Sequence, residues 1–210
     1  MESKIFQHAK QIIKLEPTIK YFSITWKLHN RCNYDCMYCP AKWHDDFSRT
    51  KSLDHLKDLW NEIIDQSKHL NLPYKIYFSG GEVTINKSFK PFIKWLRENY
   101  NQRLYGIGLT SNGSASKKYY LDLFKGLDWL TFSTHTEHMD TKKFFDTATE
   151  LAKVAVIENK SFMINIMDEY WAKDQIILFE NICKKNNIFY SKNAINYNYK
   201  TREQPIFKNL

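Results

Sequence analysis

Residues 105–134 read YGIGLTSNGSASKKYYLDLFKGLDWLTFST, and this stretch carries the plan of the whole chain. It opens on Tyr105 to Thr110 and closes on Trp129 to Thr134, two short runs rich in aromatic and branched side chains, the composition of strands. Between them Tyr119, Tyr120, Leu123 and Phe124 recur at helical spacing behind Ser116, a natural N-cap. The helical pattern stops before Gly126, a residue type that often ends helices. Two strands joined through a helix predict parallel pairing, because a parallel pair needs a long crossover.

The same unit repeats outward in both directions. Strands are predicted at Tyr21 to Leu28, Tyr74 to Ser79 and Phe162 to Met167, with a weaker one at Ile188 to Ser191. Helical stripes run through Leu53, Leu56, Leu59, Trp60, Ile63 and Ile64 behind Ser52, and through Phe89, Phe92, Ile93 and Leu96. In the second of these, Pro91 is tolerable only in the first turn, which requires Ser88 as the cap. Further stripes pass through Phe144, Phe145, Ala148, Leu151, Ala152 and Ala155, and through Ile176, Phe179, Ile182 and Cys183. About six strand–helix units fall short of the eight that close a full barrel, so the expected fold is α/β, an open or partial (β/α)6 TIM-type barrel of parallel strands. Right-handed crossovers bring all strand C-termini to one rim. Residues 1–195 form the expected core. Residues 196–210 (NYNYKTREQPIFKNL) lack a period and read as a tail, packed across the barrel as a lid or loose.

Composition narrows the function. With 43% hydrophobic and 16% aromatic residues, the 210-residue chain has enough apolar surface to offset its ordering entropy, so wholesale disorder is excluded. No apolar run reaches the roughly 18 residues of a membrane span, and Met1 to Lys14 lacks a cleavable apolar stretch, so a cytoplasmic protein without membrane partners is expected. The net charge of +8 is scattered, with no basic run of five, which argues for a solvated surface and against a nucleic-acid partner.

Three of the four cysteines, Cys32, Cys36 and Cys39, fall within eight residues, in the spacing C-x3-C-x2-C. Thiols clustered this closely in a reducing compartment point to metal rather than to disulfides. Zinc would need a fourth ligand, and His44 is the candidate. That reading gives a zinc-stabilised module whose charge faces nucleic acid. On a cubane iron–sulfur cluster, three thiolates leave one iron free to bind an exogenous ligand. The rest of the polar rim follows: Ser79-Gly80-Gly81-Glu82 after the second strand, and Thr110-Ser111-Asn112-Gly113 after the third. Ser133 to His138 follow the fourth, and Asn165 to Glu169 end the fifth. Paired glycines allow a sharp bend and close approach of backbone to a ligand, with Glu82 offering a carboxylate at the rim. Asn112-Gly113 also reads as a plain turn. Cys183 sits on an apolar stripe and reads as a small buried hydrophobe.

C-x3-C-x2-C after a first strand, with Gly-Gly-Glu after a second, resembles the radical S-adenosylmethionine (radical SAM) superfamily. The resemblance covers nearly the whole chain and implies a minimal enzyme core without an auxiliary-cluster domain. It implies that Cys32, Cys36 and Cys39 hold a [4Fe–4S] cluster and that S-adenosyl-L-methionine docks on its free iron. It places Tyr38 beside adenine, Gly80, Gly81 and Glu82 at the methionine ammonium, and Ser111, Asn112 and Ser133 near the carboxylate and ribose. Asn165, polar within an apolar strand, is expected to face inward and bond the cofactor. His135 is the candidate catalytic residue, touching cofactor or substrate or donating a proton; a solvated rim histidine is the alternative. A flavodoxin- or ferredoxin-like reductant would supply one electron, and a 5′-deoxyadenosyl radical would abstract hydrogen from a small molecule. Arg31, Lys42, Lys87 and Lys117 on the rim suggest an anionic one, a nucleotide or sugar phosphate. An iron–sulfur electron carrier or sensor that never cleaves the cofactor is a further alternative. Val83-Thr84 after the glycines departs from the proline common in glycyl-radical activases.

Overall fold

The computed structural model describes residues 20–39 and 45–195. Lys42, His44, the start Met1 to Lys14 and the tail 196–210 lie outside them, so the zinc ligand set, the leader reading and the lid role rest on residues not described. Within them the chain alternates as expected: β1 (Phe22–Lys27), α1 (Leu53–Ser67), β2 (Tyr74–Ser79), α2 (Phe89–Tyr100), β3 (Leu104–Ser111), α3 (Lys117–Phe124), β4 (Trp129–Ser133), α4 (Thr141–Ile157), β5 (Ser161–Asp168), α5 (Lys173–Lys185) and β6 (Phe189–Ala194).

All neighbours pair in parallel in the order β1-β2-β3-β4-β5-β6, and β6 does not return to β1. The sheet is therefore an open six-stranded partial barrel. One row of each strand packs under the helices. Ile76, Phe78, Ile107, Leu109, Phe132 and Ile164 are fully buried there. Phe78 meets Phe89 and Phe92 of α2 edge-on, and Trp26 of β1 stacks on Trp60 of α1.

Local signals explain the boundaries. Ser52 and Ser116 cap α1 and α3 as read from sequence, accepting from the His55 and Tyr119 N–H groups. Ser88 stands at the start of α2 but its side chain makes no capping bond; Asn86 Oδ1 instead accepts from Ser88 N–H just before the helix. Pro91 does fall in the first turn. Gly126 also differs from expectation, because its φ is not positive. A glycine is required there for space: a Cβ would lie 2.6 Å from Ile93 Cγ2, and its carbonyl accepts from Arg97 Nε at 2.9 Å. The left-handed cap positions after α4 and α5 are taken by Asn159 and Asn187, both at φ 52°. The next residues, Lys160 and Ile188, donate back to the Ala155 and Cys183 carbonyls, the Schellman pattern. Cys183 is buried under α5 as expected. Among the described residues no helix is long and apolar enough to cross a membrane.

Candidate active site

The chain leaving β1 runs over the end of β2 and is tied to it rung by rung. Leu28 N–H donates to the Ser79 carbonyl, Gly81 N–H to His29 and Glu82 N–H to Arg31. The two glycines serve this docking. A Cβ on Gly80 would lie 2.5 Å from the His29 carbonyl oxygen, and one on Gly81 would lie 2.1 Å from that of Arg31. Gly80 also has φ +147°, a conformation that side chains resist. The close approach read from sequence is thus made by the cysteine segment itself.

Glu82 departs further from the sequence reading. Read from sequence as a carboxylate offered at the rim, it is only 1% exposed. Its Oε1 accepts from Thr84 N–H at 3.0 Å, Thr84 Oγ1 at 2.7 Å and Ser111 Oγ at 2.8 Å; Oε2 accepts from Asn112 N–H at 2.7 Å. The turn after β2 folds its own carboxylate inward because β3 ends beside it with donors pointing out. Burial raises the pKa of this carboxyl and the four donors offset part of that rise. Glu82 therefore clamps the end of β2 to the end of β3. Asn112 extends the tie, its Nδ2 donating to Asn33 Oδ1 in the cysteine segment at 3.0 Å.

On the other side the cysteine segment is held by the ends of β4 and β5. Tyr38 Oη lies 2.5 Å from His135 Nδ1 with the two rings stacked, and also donates to Glu169 Oε1 at 3.5 Å. Cys36 Sγ is 3.4 Å from the same His135 nitrogen. Met37 N–H donates to Glu137 Oε2, and Tyr34 stacks on His138. Burial, with the nearby His138 adding to it, lowers the His135 pKa to about 4, so in the metal-free protein the neutral imidazole is the favoured form at pH 7. Glu169 is fully buried and takes the Thr136 N–H and hydroxyl. Glu137, His138, Glu169, Tyr34 and Asn33 carry this support, yet none was singled out for it in the sequence. Only the placement of Glu137, His138 and Glu169 past strand ends could have flagged them.

These elements enclose a cavity of about 450 Å³. It is lined by Cys32, Cys36 and Cys39, by Tyr38, by Gly80, Gly81 and Glu82, and by Ser111, Asn112, Ser133 and His135, together with Tyr34, Ser79, Thr110 and Met167. Asn165 faces inward but lies outside this lining. Its Oδ1 accepts from Ser191 Oγ at 2.8 Å. The reason is β6, which pairs along β5 as far as Ala194 and sets Ser191 beside Asn165, so the inward amide finds its partner in the sheet.

The donor set suits an iron–sulfur cluster. Burial raises the Cys36 and Cys32 pKa values, so the metal-free thiols are protonated and loading must release protons. Among the described residues no three Cys, His, Asp or Glu side chains gather closely enough to hold a metal ion. Three thiolates on one zinc would stand only about 3.8 Å apart, given zinc–sulfur bonds of about 2.3 Å. Three thiols that open onto one cavity fit a larger group with its metals at separate corners.

The family model of the radical SAM superfamily matches residues 26–159. An S-adenosylmethionine-dependent nucleotide dehydratase of Flammeovirga pacifica is 31% identical over 129 residues, 60% of this chain and 43% of the relative. A GTP 3′,8-cyclase of Campylobacter jejuni subsp. doylei is 27% identical over 179 residues, 83% of this chain and 50% of the relative. The chain thus spans about half the length of the curated relatives it matches. Among solved structures, Streptococcus suis SuiB superposes with a TM-score of 0.61 at 17% identity, over 87% of this chain and 42% of that one. The enzyme anSMEcpe with bound AdoMet gives 0.61 at 16%, over 84% and 50%. At these identities the structural likeness establishes the fold, the radical SAM partial barrel. With the family model covering well over half of the residues, this protein is an enzyme of the radical SAM superfamily.

Proposed function

We propose that this enzyme reductively cleaves S-adenosylmethionine at a [4Fe–4S] cluster held by Cys32, Cys36 and Cys39, and takes a hydrogen atom from a phosphate-bearing small molecule, a nucleotide in the first instance. The observation that carries the reading is the single cavity onto which all three thiols, the glycine turn and the polar ends of β3 and β4 open. When bound, the cluster and cofactor supply a one-electron reduction and a primary carbon radical that removes hydrogen. The chain's own residues do the rest. The Gly80-Gly81 turn offers backbone carbonyls to a cofactor ammonium, while Ser111, Asn112 and Ser133 offer polar groups to its carboxylate and ribose. Tyr38, held by His135 and Glu169, fixes the segment that carries two of the thiols. His135 orients that segment through Tyr38 and, as a neutral imidazole, can also accept a proton at the cavity wall. The nucleotide assignment is supported by what the dehydratase and cyclase relatives are named for. A flavodoxin- or ferredoxin-like protein is the electron donor in this scheme, and the cytoplasm its setting.

The test is anaerobic reconstitution with iron and sulfide, then dithionite and S-adenosylmethionine, with 5′-deoxyadenosine quantified alone and with a panel of nucleotides. Formation of 5′-deoxyadenosine, rising with one nucleotide, is the expected result. A reducible cluster without that product would overturn the reading in favour of an electron carrier.

A further inference from the structure

Beneath the cavity the partial barrel has an inward face that the cofactor reading leaves unused. Barrel interiors are ordinarily filled by bulky branched apolar residues. Here the register gives a different lining. Ile24 and Trp26 of β1 pair with Ile76 and Phe78 on the helix-covered side, so Thr25 and Lys27 share the inward side with Tyr77 and Ser79. Next across the sheet are Thr110 and Thr131, paired on β3 and β4, and the Tyr77 hydroxyl bonds both, at 3.0 and 3.1 Å. The inward positions of all six strands include no Asp or Glu. The face is rich in hydroxyls and carries positive charge only.

Two lysines stand on it. Lys75, deeper, is held over the rings of Tyr21 and Trp129, with Nζ 4.8 and 5.1 Å from their centroids. Lys27 is different. It lies at the mouth end of β1, exposed, beside cavity-lining Ser79, on a strand that is the sheet's edge among the described residues. Among the described residues no hydrogen bond or ion pair engages it, as is also true of Lys118 and Lys173; its place at the mouth is what sets it apart.

We propose that Lys27 is the substrate's anion contact: it receives a phosphate, or an equivalent oxyanion, of a molecule whose hydroxyl-bearing part lies against Ser79 and Thr110. This rests on the nucleotide reading above and adds to it the residue that selects for charge. The physical basis is a flexible ammonium beside a hydroxyl array, with no carboxylate among the inward strand positions.

The test uses reconstituted protein loaded with S-adenosylmethionine but not reduced, so that binding is read without turnover. Calorimetric titration compares the four ribonucleoside triphosphates, the matching nucleosides and inorganic tripolyphosphate against wild type, Lys27→Gln and Lys27→Arg. Lys27→Gln is expected to weaken the preferred triphosphate more than fivefold while nucleoside affinity, S-adenosylmethionine affinity and iron content stay unchanged; Lys27→Arg restores most of the loss. A loss under fivefold, or an equal loss for the nucleoside, overturns the proposal and leaves the nucleotide reading standing. Wild type that binds tripolyphosphate through Lys27 but no nucleotide upholds the anion contact and overturns the nucleotide. Binding of neither overturns both.

Discussion

Glu82 offers the sharpest test of how the site is held together. Replacing it with alanine removes the acceptor of four hydrogen bonds and leaves the Thr84 and Asn112 N–H groups and the Ser111 hydroxyl facing a gap. Each buried donor left without an acceptor costs about 1–3 kcal/mol, so stranding this group should cost about 3–5 kcal/mol in all. At about 2–4 °C per kcal/mol for a domain of this size, Glu82→Ala should lower the melting temperature by roughly 6–20 °C. Glu82→Gln keeps one carbonyl oxygen for the Thr84 and Ser111 donors but turns an amide N–H₂ toward the Asn112 N–H, a cost of about 1–3 kcal/mol. Anaerobic thermal unfolding followed by circular dichroism measures both. The pH dependence has a defined sign. Burial raises the folded carboxyl's affinity for its proton, so this group favours the fold most at low pH and loses that contribution as pH rises through its folded value. The deficit of Glu82→Gln should therefore be smaller at pH 8 than at pH 5. A Glu82→Ala protein melting within 2 °C of wild type, or a glutamine variant as damaged as the alanine one, would refute the clamp.

Serine at Cys32, Cys36 or Cys39 should each abolish stable iron and sulfide incorporation, measured by metal and sulfide analysis after reconstitution. Cys183→Ser should leave iron content intact and cost about 1–3 kcal/mol in denaturant unfolding, because it buries an unpartnered hydroxyl under α5. Gly81→Ala forces a Cβ to within 2.1 Å of the Arg31 carbonyl oxygen, so it should destabilise by about 1–3 kcal/mol or more and reduce iron uptake, read by the same two assays. In iron-free protein, His135 with its pKa lowered to about 4 supports the fold above its unfolded value of 6.5, and that support is lost as pH falls toward 4. His135→Asn should flatten the stability profile between pH 6.5 and 4; an unchanged slope would place the acid sensitivity elsewhere.

The strand–helix alternation was legible because each element carries its own periodicity, and the caps at Ser52 and Ser116 lie within three residues of what they satisfy. The cysteine segment was legible as a candidate metal site because its three thiols are neighbours in the chain. What could not be read were partners far away in sequence. For Asn165 the sequence could show only an inward polar residue; that its carbonyl oxygen is taken by Ser191 on the neighbouring strand depends on the register of β5 and β6. Gly126 looked like a conformational cap, but it is there to make room for Ile93, 33 residues earlier.

From the sequence alone follow six parallel units, a common rim and a three-cysteine ligand segment on it, since all of these arise from local spacing and chain order. Only the tertiary structure decided that Glu82 turns inward to four donors, that His135 and Glu169 brace Tyr38, and that Lys27 stands at the mouth of a hydroxyl-lined inward face. Those outcomes depend on which side chains from separate strands meet, and on how deeply water is excluded where they do.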